Sequence, residues 1–195
     1  MGSLLFRGCL GTGRIDGNSH YVDLEQRAEK ALKYAKRKGL NNHYCLFVDY
    51  GIPSGKPRLF VWSFEEGRVV YSGYAMHGPG KGSTDASPVF SNAPGSQCSS
   101  IGRFEITRHR GARNKTGLRL KGLDNSNNHA FGRGLMIHSS RWVDANRWRP
   151  LIPLNAKSCQ GCVTVSTRDM AYINRLVGSE KGNLLLWAYR EVQTI

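Results

Sequence analysis

Acidic residues are scarce in this chain of 195: 14 Asp and Glu face 28 Lys and Arg, a formal charge of +14. A surplus of that size draws a protein toward polyanions. Nucleic acid is one such partner, but zinc-finger spacing, an RNA-recognition signature and a basic helix with base-reading side chains are all missing. We therefore expect no nucleic-acid partner; an anionic cell envelope satisfies the same electrostatics, as does a charge serving only solubility. Long apolar runs are missing too. No segment approaches the roughly 18 apolar residues of a membrane span, so none is expected. The five cysteines, Cys9, Cys45, Cys98, Cys159 and Cys162, are odd in number. They do not make a closed disulfide framework and leave room for one reactive thiol. There is also no internal repeat.

Glycine, by contrast, is abundant, with 23 residues. So many turn positions favour β-rich structure over a helical bundle. A chain of this length buries roughly 70% of its unfolded surface and needs neither disulfides nor metal to hold a core. Residues 1–21 read as an N-terminal arm, and 22–195 as one domain. Leu24, Ala28, Ala31, Leu32 and Ala35 recur at steps of three and four. That spacing predicts a helix over 23–38, stopped at Gly39. Beyond it the period becomes two. Strands are expected at 43–50, 58–64, 67–76, 103–109, 117–123, 134–140, 162–166 and 183–190. Ser166 and Asp169 match a capping box that opens a helix ending at Gly178. The segment 141–157 reads as a variable connection. Residues 77–96 are rich in Gly, Pro and Ser and too long for a simple hairpin loop, a length that marks functional loops. The sum is a mainly β fold with short helices, a β-sandwich or open barrel rather than βαβ winding.

The chemistry-bearing residues gather near two stretches, LMIHSSRW at 135–142 and KSCQGCVTVS at 157–166. A cysteine attacks as thiolate, and a histidine in reach raises the ionised fraction and returns a proton to the leaving amine. Gly161 before Cys162 allows a sharp turn that brings main-chain donors toward a developing oxyanion. His138 at a strand end is the candidate base. The pair Cys159-x-x-Cys162 also fits a redox or disulfide pair, or half a zinc site, though a thioredoxin setting and further zinc ligands at matching spacing are missing. His77, before a Gly-Pro-Gly turn, is a candidate cleft residue, as are Gln160, Trp148 and Arg141; Arg103, Arg147 and Arg149 also cluster near the motifs. Trp142 reads as core, His109 as solvated, His129 as structural and Cys45 as a small buried hydrophobe.

HSSRW followed at a distance by SCQGCVTVS resembles the signature of the L,D-transpeptidase (YkuD-type) catalytic domain. SSIGRFEI at 99–106 is similar to that family's segment leading into a core strand. FSNAPGSQCSSIGRF is similar to the long loop of its murein L,D-transpeptidase branch, and the likeness runs from His43 to Arg190. The resemblance implies Cys162 as nucleophile, His138 as base, and Ser139 as the member that orients the histidine through its backbone carbonyl. The N–H groups of Gly161 and Cys162 would form the oxyanion hole. It further implies peptidoglycan stem peptides as substrate, with D-alanine leaving from a diamino acid, a thioester intermediate, and cross-linking or carboxypeptidase outcome. Neither metal nor organic cofactor is needed, and carbapenems are the expected inhibitors. The expected location is periplasmic or cell-envelope, with an export signal removed ahead of Met1. Two features depart from the family pattern: Cys159-Gln160 replaces Ser-His, and 24 positions separate His138 from Cys162, more than is usual. Gln160 still donates and accepts hydrogen bonds. The alternative is a catalytically silent envelope-binding module.

Overall fold

Each alternating segment becomes a strand of one sheet. The structure, a computed structural model, describes residues 18–110 and 117–191, with the side chains of 18–22 and 109–110 left out. In chain order the elements are α1 (Asn18–Lys38), β1 (Tyr44–Asp49), β2 (Leu59–Ser63), β3 (Arg68–Gly73), β4 (Ala75–Met76), β5 (Gly102–Arg110) and β6 (Leu118–Gly122). Then follow β7 (Met136–Ser139), α2 (Arg141–Asn146), β8 (Val163–Val165), α3 (Thr167–Ser179) and β9 (Leu184–Tyr189). The nine strands lie in the order β3-β2-β1-β9-β5-β6-β7-β8-β4. Its two edges, β3 and β4, are separated in sequence by Tyr74 alone. The sheet therefore curls until one edge runs into the other, a nearly closed barrel.

The largest apolar cluster shows what fills that curl. Leu46, Leu59, Phe104, Leu120, Ile137, Val165 and Leu186 come from strands spread across the sheet, yet join one buried cluster with Met170 and Ile173 of α3. Only the inner face of a curled sheet brings such distant strands together. The outer face is covered at both ends. Over β1, β2 and β9, α1 lays Leu24, Ala28, Ala31 and Tyr34 on Phe47, Trp62 and Leu185. Over β4, Val143 of α2 with Ile152 and Cys159 of the following segment covers Met76. Covered on both faces, β1 and β2 read as continuous apolar runs rather than alternations.

Asp169 holds the closure. Its backbone N–H and carboxylate complete the capping box with Ser166 that starts α3. The same carboxylate accepts from the Tyr71 hydroxyl at 2.8 Å and from the Tyr74 amide at 3.0 Å, at the corner where β3 becomes β4. A Cβ on Gly73 would stand 2.7 Å from this carboxylate, so the corner tolerates no side chain there.

Four elements differ from the sequence expectation. The run 67–76 is broken at Tyr74, because the chain must leave one sheet edge to reach the other. The connection after Ser139 holds a helix, α2, N-capped by the Ser140 side chain. With Val143 as its one buried apolar residue, it is too short to show a helical period. Gly178 stays within α3, which ends at Ser179, where the Glu180 amide donates to the Leu176 carbonyl at 3.1 Å. α1 starts at Asn18, ahead of its apolar stripe, so it takes in 18–21 of the expected arm; 1–17 lie outside the described residues.

Asp169→Ala strands the Tyr71 hydroxyl and the Tyr74 amide together. It is expected to lower unfolding free energy by about 2–4 kcal/mol, against about 1 kcal/mol for the cap substitution Ser166→Ala. Denaturant midpoints of the two variants check this, and equal shifts would show that the carboxylate matters only as a helix cap.

Candidate active site

β7 and β8 pair in parallel, with His138 opposite Thr164 and Ser139 opposite Val165. The inward residues Ile137 and Val163 anchor the register in the core, which turns His138 and Thr164 to the other face. There the imidazole is pinned from both nitrogens. Nδ1 lies 3.1 Å from the Ser139 carbonyl, which only accepts, so Nδ1 carries the proton. Nε2 is left with its lone pair, 3.3 Å from Thr164 Oγ1. Burial holds the His138 pKa below the ordinary histidine value, and the bond to Ser139 opposes this weakly. The imidazole is therefore neutral at pH 7.

Cys162 enters β8 two residues before Thr164, half-buried against both the inner cluster and the α2 cluster. Among the described residues no hydrogen bond joins its sulfur to the His138 ring; Nε2 meets the Thr164 hydroxyl instead. Burial raises the Cys162 pKa above that of a free thiol. Opposing it, in decreasing order, are a backbone hydrogen bond at Met136, the charges of Arg133 and Arg119, and a backbone hydrogen bond at Gln160. The preceding residue is fixed more tightly still. Gly161 has φ +99°, and a Cβ there would stand 2.4 Å from the Cys98 carbonyl oxygen. Only glycine fits both demands. The Gly161 and Cys162 backbone also bonds the sulfur of buried Cys159, whose thiol is 3.2 Å from the Cys162 carbonyl. Burial pushes Cys159 up to about 12, leaving it protonated.

The long glycine-rich segment backs this turn. A Cβ on Gly78 would stand 2.7 Å from Gly161 Cα, so the two backbones touch without side chains between them. Gly78 donates its amide to Ser99 Oγ at 3.0 Å. Ahead of it, His77 is fully buried, with Arg58 Nη2 at 3.0 Å from Nδ1 and the Thr84 carbonyl at 2.9 Å from Nε2. Since arginine only donates, Nδ1 accepts and Nε2–H donates to Thr84. Burial and the neighbouring guanidinium push the His77 pKa down to about 4. Arg58 is itself buried and also reaches the Ala75 and Ile52 carbonyls at 2.7 and 3.0 Å. Its pKa falls to about 10 by burial.

The sequence candidates thus separate. His138, Ser139, Gly161 and Cys162 come together around β7 and β8. His77 does not line a cleft; it is sealed against Arg58 and braces the segment behind Gly161. Gln160, shortly before β8, and Arg141, which opens α2 after β7, are both exposed. Trp148 is 73% exposed beside the Arg149 guanidinium, on the segment joining β7 to β8. Trp142, expected in the core, lies at the surface, because its indole N–H reaches out to the Pro153 carbonyl at 2.8 Å. Arg103 is committed to Asp124 and stacks on Tyr34, away from the motifs. His129 binds the Asn92 backbone from an exposed position, and the side chain of His109 lies outside the described residues. Thr164, Arg133 and Arg58 were missed. Thr164 had a usable signal, since it shares the Cys162 face at a step of two.

The family described as L,D-transpeptidase catalytic domain matches residues 18–189. No curated protein matches the sequence. Among solved structures, the helical cell shape determining protein Pgp2 from Campylobacter jejuni superposes with a TM-score of 0.51 at 12% identity. It covers 87% of this chain, and the chain spans 57% of that protein; a mutant of the same protein gives the same TM-score. The L,D-transpeptidase from Xylanimonas cellulosilytica aligns with a TM-score of 0.40 at 16% identity, over 80% of this chain and 68% of that one, too loosely to carry an argument.

The buried neutral imidazole of His77 has a measurable consequence. Its folded pKa of about 4 lies below the ordinary histidine value, so between the two the unfolded chain binds more protons. Stability is fully present above the unfolded value and lost as pH falls toward 4, by up to about 3 kcal/mol. His138, shifted the same way, adds in the same direction. Urea midpoints at pH 7, 5.5 and 4.5 check this; His77→Gln is expected to lower the pH 7 midpoint and flatten the slope.

Proposed function

The chain belongs to the L,D-transpeptidase catalytic domain family, and from that premise we propose that it is a cysteine acyltransferase acting on peptidoglycan stem peptides in the cell envelope. The observation that carries the reading is the pinned imidazole. His138 presents an unprotonated Nε2 on the face from which Cys162 enters β8, its other nitrogen fixed by the Ser139 carbonyl.

In this reading Nε2 takes the Cys162 proton as the sulfur attacks the carbonyl carbon before the terminal D-amino acid. This requires the ring to leave Thr164 for the sulfur, since hydrogen bonds of this kind often tighten only once substrate is bound. The resemblance assigns the oxyanion to main-chain N–H groups at Gly161 and Cys162, which at rest bond the Cys159 sulfur and have to turn from it to the oxyanion. Imidazolium returns its proton to the leaving amine, D-alanine departs, and a thioester remains on Cys162. Attack by an amine of a second stem gives a cross-link, and attack by water gives a trimmed stem. Neither step calls on a metal or organic cofactor. Gln160, Arg141 and Trp148 are exposed, and in this reading they are the candidates to meet the rest of a stem or its glycan.

A silent binding module is the second reading, and one observation favours it: Nε2 is engaged by Thr164 while burial keeps the thiol protonated. Mass spectrometry after incubation with a carbapenem separates the two. An adduct on Cys162 supports the enzyme, and an unmodified thiol supports the binder.

Two results are expected of the enzyme. Purified tetrapeptide muropeptides lose D-alanine with the wild type and stay intact with Cys162→Ala, a loss of at least about 10³-fold by product mass analysis. Intact tetrapeptide in both samples would end the proposal. Because attack starts from a neutral thiol and a neutral imidazole, with the thiol pKa raised and the imidazole pKa lowered, the acylation rate is expected to fall only as pH drops below the ordinary histidine range and to hold level between about pH 7 and 8. A bell centred near neutrality would instead indicate a preformed ion pair.

A further inference from the structure

Arg133, in the turn before β7, has an unusual set of partners. Nη1 donates to the Ser91 carbonyl at 2.8 Å and to Ser100 Oγ at 2.7 Å. Nη2 donates to Ser96 Oγ at 3.1 Å and to the Cys98 carbonyl at 2.7 Å. All four acceptors are neutral, and all lie within ten residues of the long segment that backs the nucleophile turn. Among the described residues Arg133 makes no ion pair, whereas Arg103 has Asp124 and Arg27 has Glu191. A half-buried guanidinium whose fork is filled by neutral acceptors is not neutralised by a carboxylate. Its charge acts on the sulfur: Arg133 is the larger of the two cationic influences that favour the Cys162 thiolate.

The Cys98 carbonyl has a second neighbour. It is the oxygen that a Cβ on Gly161 would meet at 2.4 Å, so it rests directly on the residue before the nucleophile. A Cβ on Gly161 would also lie 3.2 Å from Arg133 Nη2, which places the guanidinium at that turn. We propose that Arg133 is a positioning residue for Cys162: it latches the 91–100 segment onto Gly161 and sets an uncompensated positive charge beside the sulfur. Geometry and charge come from one side chain. Cut from the latch, the Cys98 carbonyl is free to leave Gly161, and the backbone of the turn loses its wall. Without the charge, burial alone governs the thiol.

The other groups near Cys162 include His138 from β7, Arg119 from β6, Cys159 from its own turn and Tyr50 just after β1, together with the Met136 and Gln160 backbone. All of these side chains are retained when Arg133 is replaced, and the Lys variant separates loss of the charge from movement of the turn.

The inference rests on Cys162 as nucleophile, yet its test needs no substrate. Its failure is therefore distinct from failure of the peptidoglycan reading, which the muropeptide digestion decides. The full-length protein is alkylated with iodoacetamide across pH 6 to 10, and modification at Cys162 is followed by peptide mass mapping. The profile yields an apparent pKa and a plateau rate. Arg133→Gln, which loses both fork and charge, is expected to raise the apparent pKa and to slow alkylation at pH 7.5 by roughly 3–10-fold. Arg133→Lys, which keeps charge but not the fork, is expected to hold the wild-type pKa while its plateau rate departs by about threefold or more. A purely structural role would not divide the two variants in this way. An unmoved pKa in the Gln variant overturns the proposal. If that variant does not fold by circular dichroism, the Lys variant decides: a wild-type plateau there overturns it equally.

Discussion

The parallel pairing of β7 with β8 is the constraint on which the site depends. Two parallel strands cannot be joined by a tight turn; the chain must cross over and re-enter from the same end. That crossover is the segment holding α2, Ile152 and Cys159, and its apolar residues cover the outer face over Met76. The register then does the chemical work. Ile137 and Val163 point into the curled sheet, so their neighbours His138 and Thr164 must point out, under the crossover. A one-residue slip would exchange the two sets, placing the imidazole in the apolar interior and two β-branched residues at the site. The core thus specifies the site by excluding the alternative.

A second layer of support comes from the glycine-rich segment, and its composition follows from how closely it approaches. Gly78 and Gly161 meet backbone to backbone, and Gly80 lies so near Cys98 that a Cβ would stand 2.2 Å from its sulfur. Side chains are excluded from the contact, and the segment is held by polar groups around its margins. Arg58 grips it from within the protein through His77, and Arg133 grips it from the other side through four neutral acceptors. Asp169 is the comparable fixture at the sheet closure, where one carboxylate ties a helix start to a strand corner. In each case a single charged group replaces many small apolar contacts, because the backbone it secures has little side chain to pack.

These distinctions explain what was legible in the sequence. The strands were legible because Leu135, Ile137, Phe104 and Ile106 alternate with polar residues at the period of the pleat. The capping box at Ser166 and Asp169 was visible as a local pattern and stands in the structure. The second function of Asp169, at Tyr71 and Tyr74, was hidden, since those partners are nearly a hundred residues distant. α2 was hidden for the opposite reason, being too short to establish any period. His77 was misplaced because a histidine ahead of Gly-Pro-Gly reads as an exposed loop residue; its partner Arg58 lies just ahead of β2, and an arginine is seldom fully buried. Arg133 was passed over among a surplus of cations, none of which announces in sequence whether a carboxylate awaits it.

The charge balance of the site follows from these same facts. Thiol and imidazole are both held neutral, one raised and the other lowered, and in each case burial is the leading cause. A resting ion pair is therefore disfavoured: it would place two charges under the crossover with little water to solvate either. Arginines held by neutral partners change that balance in one direction only. They stabilise negative charge on sulfur, or on an oxyanion beside it, and do nothing for the neutral thiol. In the proposed mechanism, help reserved for the charged species is help that grows as attack proceeds, which is the condition for lowering a barrier rather than merely tightening binding. The excess of basic residues noted first in the sequence thus has a local meaning at Cys162, apart from any long-range attraction to an anionic envelope.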